Sequence, residues 1–277
     1  MFGRPIIQVE PTNHCNENCD ICVRRYQKRE LGFMDFDDFK RFVDLNRPYY
    51  LGFHGWGEPL LHEKIHDMVA YAASKGSITS LITNGTLVSY EELRRLFNSG
   101  LKELAFGVYR VEKLKRISKK VEYAVKIKRE LHLKKPRLFL DIAFYEGNVD
   151  EVPAIIEEGR RLGIEAINLH RVFNPYDESI MPLSKERERE LMTKVKKISK
   201  ELGLKISLPG KHSLPCRVAK FSIFITWDFK ITPCCFLPDL SFAHGPSIKV
   251  SDIVGSQSYK AFLKSMSKNT ICSRCTL

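Results

Sequence analysis

Cys15, Cys19 and Cys22 fall in the run PTNHCNENCDICVR, just after the apolar segment 5–10. A cubane iron–sulfur cluster has four irons, and each normally takes one thiolate. Three cysteines spaced C-x3-C-x2-C on one loop therefore leave one iron open, and an open iron can bind a small molecule and act on it. Two plainer chemistries compete. Disulfides need an oxidising compartment, and Met1–Pro11 has no apolar core of the length a secretory signal requires. A structural zinc site usually takes four ligands, often as two C-x2-C pairs. Cys19 and Cys22 make one such pair, but Cys15 is then an extra ligand.

The other cysteines are clustered too. The eight lie at 15–22, 216–235 and 272–275. Metal ligation explains that distribution better than core packing. The 277 residues suffice for one large domain, or one with an appendage, and 43% hydrophobic with 28% charged residues is an ordinary globular balance. No apolar run is long enough to span a bilayer, so no membrane partner is expected and the protein should be cytoplasmic. The formal charge is +12. Between Arg110 and Arg137 there are twelve Lys or Arg and three acids. That stretch is either a face for an acidic partner, such as RNA or an acidic electron donor, or a solvated helix surface.

Strand-like and helix-like segments alternate. Strands are expected over 6–10, 50–54, 78–83, 103–108, 138–144 and 165–170. Helices are expected over 36–46, 62–75, 90–98, 111–132, 149–162 and 185–202. Asp35, Ser89 and Ser184 precede helices as N-caps do. Gly76, Gly100, Gly163 and Gly203 follow them as C-terminal caps do. Six strand–helix units in series predict an α/β fold, a parallel sheet curled into a partial (β/α)6 barrel, with chemistry at the carboxyl ends of the strands. Residues 1–209 are assigned to it. Residues 210–277 read as a small cysteine-rich module, with a possible last strand before it at 205–208, a hairpin over 221–232 and a short helix over 256–265.

The C-x3-C-x2-C triplet after the first strand resembles the radical SAM superfamily. His54-Gly55-Trp56-Gly57-Glu58-Pro59 at the end of the second strand resembles that family's GGEP motif. Thr83-Asn84-Gly85-Thr86 after the third looks like its TNG. The resemblance implies a [4Fe-4S] cluster on Cys15, Cys19 and Cys22. It also implies S-adenosylmethionine (SAM) held near Ile21, Gly55, Trp56, Gly57, Glu58 and Asn84. Ile21 stands where relatives carry an aromatic. Gly107 and Tyr109 stand where many relatives have Ser and Asp, which leaves the partner of the methionine carboxylate open among Arg110, Lys113 and Arg171. His54 receives no role.

The tail resembles the SPASM or twitch extension of some radical SAM proteins. Cys216 is followed by Phe229 where that pattern has Gly, and then by Cys234. The Gly-to-Phe change predicts a locally different hairpin turn. Cys272 and Cys275 complete four ligands, with Cys235 as a substitute for Cys234. On this resemblance the tail holds a second [4Fe-4S] cluster; a four-cysteine zinc staple is the alternative.

These features imply an enzyme that reductively splits SAM to a 5′-deoxyadenosyl radical and takes hydrogen from a peptide, a protein or a cofactor precursor. Its electrons would come from a low-potential donor of the ferredoxin or flavodoxin type. One alternative is RNA modification using residues 110–137. Another is a non-catalytic iron–sulfur or zinc interaction protein.

Overall fold

In a computed structural model, which describes residues 4–277, strands and helices alternate along most of the chain. In order they are β1 Ile6–Val9, α1 Phe36–Asn46, β2 Tyr50–Phe53, α2 Ile65–Ser74, β3 Ile78–Thr83, α3 Tyr90–Asn98, β4 Glu103–Val108 and α4 Val111–Glu130. Then come β5 Arg137–Phe144, α5 Val152–Arg161, β6 Ala166–Arg171, α6 Lys185–Leu202 and β7 Lys205–Ser207. The tail adds α7 Arg217–Phe221, β8 Ser222–Ile225, β9 Lys230–Thr232, β10 Ala243–His244, α8 Val250–Gly255 and α9 Gln257–Ser265. The fold is α/β with parallel strands, as expected. α2 starts three residues later than the sequence suggests because Pro59–Leu61 forms a separate 3-10 turn.

The expected caps are in place. Asp35 accepts from Asp38 N, Ser184 from Arg187 N and Ser89 from Glu92 N. Gly76 and Gly203 take positive φ, 77° and 57°, which ends a helix without a Cβ penalty.

The chain divides into two compact units. The first runs to Leu81 and adds Ser99–Leu101 and His212–Cys275. In it β1 pairs in parallel with β2 on one side and with β8 on the other, Ile7 standing opposite Leu51 and Ile223. The tail module thus packs into the same unit as the first strands rather than forming a compact body by itself. The expected hairpin is β8 and β9, which pair antiparallel. At its turn Phe229 has φ 62°. The left-handed conformation that favours glycine is therefore kept, and the expected difference is one of side chain only. Left-handed backbone at a non-glycine residue costs roughly 1–2 kcal/mol. Burial of the Phe229 ring against Phe42, 6.1 Å away, returns a similar amount, about 1.5–3 kcal/mol.

The second unit holds Ile82–Asn98, Lys102–Lys211 and the last two residues. β4, β5, β6 and β7 pair in parallel, with Gly107, Asp141, Asn168 and Ser207 in one row. Leu104, Phe106, Leu140, Ile142, Ile167 and Leu169 lie on one face and are buried. α5 reaches that face closely: a Cβ on its Gly159 would stand 2.5 Å from Leu140 Cδ1.

Candidate metal centre

β1 hands over to a loop closed at its base. Thr12 bridges Phe33, and Met34 N donates to Pro11 O at 2.8 Å. The Thr12 hydroxyl donates to Gly32 O at 2.6 Å and accepts from His14 N. Asn13 donates to Glu30 O at 2.8 Å and accepts from Gly32 N at 2.9 Å. Both side chains are buried, and their polar atoms are satisfied by the loop they close. The Thr-Asn ahead of the cysteines is thus a clasp. The tail reinforces it, because Trp227 Nε1 donates to Glu30 O at 3.2 Å and a Cβ on Gly32 would strike the Trp227 ring.

Inside the clasp, Cys22 N donates to Cys19 O at 3.1 Å and Arg24 donates to Glu17 O at 2.9 Å. Burial pushes the Cys15 and Cys22 thiols up. The charges of Glu58 and Cys19 add to this at Cys15, those of Cys19 and Cys15 add at Cys22, and Arg24 opposes it at both. The three sulfurs therefore lie near enough for their charges to act on one another. Among the described residues, however, no three His, Cys, Asp or Glu side chains meet tightly enough to hold a single metal ion. Three thiols on one loop are nevertheless a donor set that a cubane cluster can take, one thiolate to each of three irons. Thiols must lose their protons to ligate, and bound metal drives that loss. Arg24, whose charge acts on both thiols, has a buried Nε with no hydrogen-bond partner.

The loop after β2 is seated on this one. A Cβ on Gly57 would stand 2.6 Å from His14 O and closer still to Thr12 O. A Cβ on Gly55 would stand 2.7 Å from Glu10 Cβ and Cγ. Glycine is required at both places by close approach. Glu58 N donates to His14 O at 2.8 Å, and the buried Glu58 carboxylate caps the following 3-10 turn through Leu60 N at 3.1 Å. Beneath lies an ion pair that sequence reasoning missed. Glu10, fully buried, takes both Arg29 guanidinium nitrogens, at 2.5 and 3.1 Å, and accepts from Trp56 N at 3.2 Å. A charged residue closing an apolar strand was the available signal.

The remaining expected site residues are placed as follows. The Trp56 indole donates to Cys235 O at 2.7 Å and meets Phe236 edge-on at 5.1 Å, so it faces the tail. Ile21 is partly exposed on the cysteine loop. Asn84 Oδ1 accepts from Thr86 N and Oγ1, forming an Asx turn. His54 is held by Gln8 through its ring and its carbonyl. Two of the three cations considered for the methionine carboxylate are engaged elsewhere. Arg110 bonds Glu151, Gly147 O and Tyr145 OH, and Arg171 bonds Glu188, Gly210 O and Thr276 O. Lys113 lies over the Tyr109 ring, 5.3 Å from its centre.

In the tail, Cys216, Cys234 and Cys272 pack with Ala219, Leu237 and Met266. Burial drives Cys234 well up and Cys272 up to about 11; Cys275 adds to both, Cys272 to the first and Cys216 to the second. At Cys234 the charge of Cys235 adds more than either, so the tail cysteines, Cys235 among them, lie within electrostatic reach of one another. Cys235 is pushed up to about 12, chiefly by burial and then by Glu10. Its neighbours thus include the Glu10 site as well as Cys275.

The chain is similar to known proteins along most of its length. The radical SAM superfamily model matches residues 9–157, and the SPASM model, an iron–sulfur cluster-binding domain, matches 216–276. The chain is 25% identical over 252 residues to the tungsten-containing aldehyde ferredoxin oxidoreductase cofactor-modifying protein of Pyrococcus furiosus, covering 82% of this chain and 70% of that one. It is 26% identical to the PqqA peptide cyclase of Granulibacter bethesdensis, covering 56% and 43%. In fold it matches SuiB of Streptococcus suis bound to SAM, with a TM-score of 0.78 at 14% identity over 98% of this chain and 71% of SuiB. The same protein is known bound to its precursor peptide SuiA. Among the described residues no helix is long and apolar enough to cross a membrane. With a [4Fe-4S] cluster and SAM as its cofactors and iron–sulfur chemistry in its tail, this chain is an enzyme of the radical SAM superfamily.

Proposed function

We propose that Cys15, Cys19 and Cys22 hold the catalytic cluster, and that Ile21, Gly55–Glu58 and Asn84 line the place of SAM. Cys216, Cys234, Cys272 and Cys275 hold the auxiliary cluster, and the chain acts on a peptide, a protein or a cofactor precursor. The catalytic cluster, once reduced, supplies the electron that splits SAM into methionine and a hydrogen-abstracting 5′-deoxyadenosyl radical. The chain's own residues hold the thiols, exclude water and aim the loop after β2. The observation that carries the reading is the seating of Gly57 and Glu58 on the carbonyls just ahead of Cys15. It makes the cluster loop and the SAM loop one rigid object. Residues 1–209 then serve the chemistry and 210–277 the auxiliary cluster. The substrate class follows the named relatives, which include a cofactor-modifying protein and a peptide cyclase.

Anaerobic reconstitution tests this. The full chain should take up about eight irons, as two cubanes, and form 5′-deoxyadenosine from SAM with dithionite. No cleavage under any reductant rejects it. RNA modification is the second reading, favoured by the exposed Lys115, Arg116, Lys119, Lys126 and Arg129 on α4. Binding of RNA that weakens steeply with salt would support it.

A further inference from the structure

The tail cysteines share one small core. Ala219, Leu237, Met266 and Cys272 form it, with Cys216, Cys234 and Phe262 packed against it. α7 and α9 both sit on this core. The Tyr259 hydroxyl donates to Ala219 O at 2.7 Å. Cys216 N, just before α7, donates to Met266 Sδ, just after α9, at 3.4 Å. Of the five residues of α7 only Ala219 is buried, and Arg217, Val218, Lys220 and Phe221 are exposed. On α9, Lys260 and Lys264 are exposed four residues apart, on one side of the helix. Lys268 and Arg274, also exposed, stand on either side of Cys272 in the chain.

Charge on these segments has one sign. Residues 212–221 and 256–275 carry six Lys or Arg and no Asp or Glu. The three acids of the tail module, Asp228, Asp239 and Asp252, lie between them in sequence. α4 is basic as well, but Glu112, Glu122 and Glu130 are interspersed there, and Glu130 lies 3.7 Å from Lys126. The tail also exposes large apolar groups among its cations. Val218 is 51% exposed and Phe221 54%, neighbours three positions apart on α7. RNA phosphates give such side chains nothing to bind, whereas a protein surface buries them. Apolar groups beside a single sign of charge fit a protein with an acidic face.

We propose that the surface made by α7 and α9 docks a small redox protein with an acidic face, the electron carrier that serves this enzyme. Its position points to a redox partner. Cys216 directly precedes α7, and Cys272 lies between Lys268 and Arg274, so a carrier seated there stands next to thiols assigned to the auxiliary cluster. The reduced carrier gives up one electron and the tail takes it, with no bond made and no proton moved. Redox encounters use small interfaces, below roughly 1,200 Å², which two short helices can supply. The dock rests on the radical SAM reading and adds to it the surface through which electrons arrive.

The test uses the full-length, cluster-loaded protein and an acidic [4Fe-4S] ferredoxin as probe, with polyglutamate and a single-stranded RNA for comparison. Surface plasmon resonance should show the ferredoxin binding at low salt and weakening as salt rises. Lys260→Glu with Lys264→Glu should slow its association about tenfold or more, the size of electrostatic steering. Phe221→Ser should weaken it by a similar factor, through faster dissociation. Both changes replace exposed side chains, so Tm and iron content should hold. The same reversal of two charges on α4, Lys115→Glu with Lys119→Glu, should leave ferredoxin binding as it was. In the tail variants SAM cleavage driven by reduced ferredoxin, taken relative to cleavage driven by dithionite, should fall by the same factor, because a small reductant needs no dock. Polyglutamate binding as tight as ferredoxin's, RNA binding tighter than it, or a loss that follows α4 rather than the tail overturns the proposal. So does an unchanged ratio of the two rates. Absence of SAM cleavage even with dithionite would instead reject the enzymatic reading, while the binding titration still reports on the dock.

Discussion

The backbone amide of Glu58 lies 2.8 Å from the carbonyl oxygen of His14, so the loop after β2 is hydrogen-bonded to the residue that precedes Cys15. Gly57 makes that bond possible, since any Cβ there would collide with backbone rather than with a movable side chain.

Gly57→Ala should therefore displace one loop or the other. Overpacking of this kind costs about 1–3 kcal/mol, visible as a lowered denaturation midpoint. The larger effect is expected on SAM affinity, measured by equilibrium binding to the reconstituted protein. A variant with unaltered affinity would show that the seat is not needed.

Glu10→Gln leaves the Arg29 guanidinium buried against a neutral amide. Breaking a buried ion pair in this way costs roughly 3–5 kcal/mol, and urea denaturation of the two proteins measures it. Because Trp56 N also bonds Glu10 Oε1, the loop bearing Trp56 should lose protection in hydrogen exchange.

The two sets of cysteines should separate by iron count. Cys19→Ala should lose about four irons and all SAM cleavage. Cys272→Ala should lose a similar amount and keep cleavage uncoupled from substrate. If Cys272→Ala abolished cleavage as well, the tail cluster would be necessary to the first site. On the proposed ligand set, which leaves Cys235 out, Cys235→Ala should keep full iron; loss of iron would make Cys235 a ligand in place of Cys234.

His170 gives a pH dependence. Burial lowers its pKa and Asp141 raises it, and the net direction is up. A histidine raised on folding stabilises the protein below its unfolded value, about 6.5. That contribution fades as pH rises through the folded value. The imidazole NMR titration should show a midpoint above 6.5, and Asp141→Asn should bring it down. With the His170 side chain 42% exposed, solvent screening keeps the stability effect small.

The strand and helix order was legible from period and caps because those signals are local. The three-cysteine loop was legible from spacing. What escaped was long-range. Trp56 belongs by sequence to the SAM motif, yet its indole reaches Cys235, 179 positions away. Arg110 and Arg171 carry charges fit for a carboxylate, yet Glu151 and Glu188 already take them. The Asp141–His170 pair depends on register between β5 and β6, which no single strand encodes. Phe229 shows the converse. Its residue type argued against the turn, and packing against Phe42 overrode that preference.

The pairing of β1 with β8 has a consequence for synthesis. β1 leaves the ribosome before its neighbour β8, which follows more than two hundred residues later. At roughly 5–20 residues per second that edge stays open for on the order of ten seconds or more. Through that interval the cysteine loop lacks Trp227, the part of its clasp that comes from the tail. The nascent chain thus completes the closure of its loop only once Trp227 has emerged, and a product stalled or clipped before that point would carry an uncapped strand beside incompletely clasped thiols.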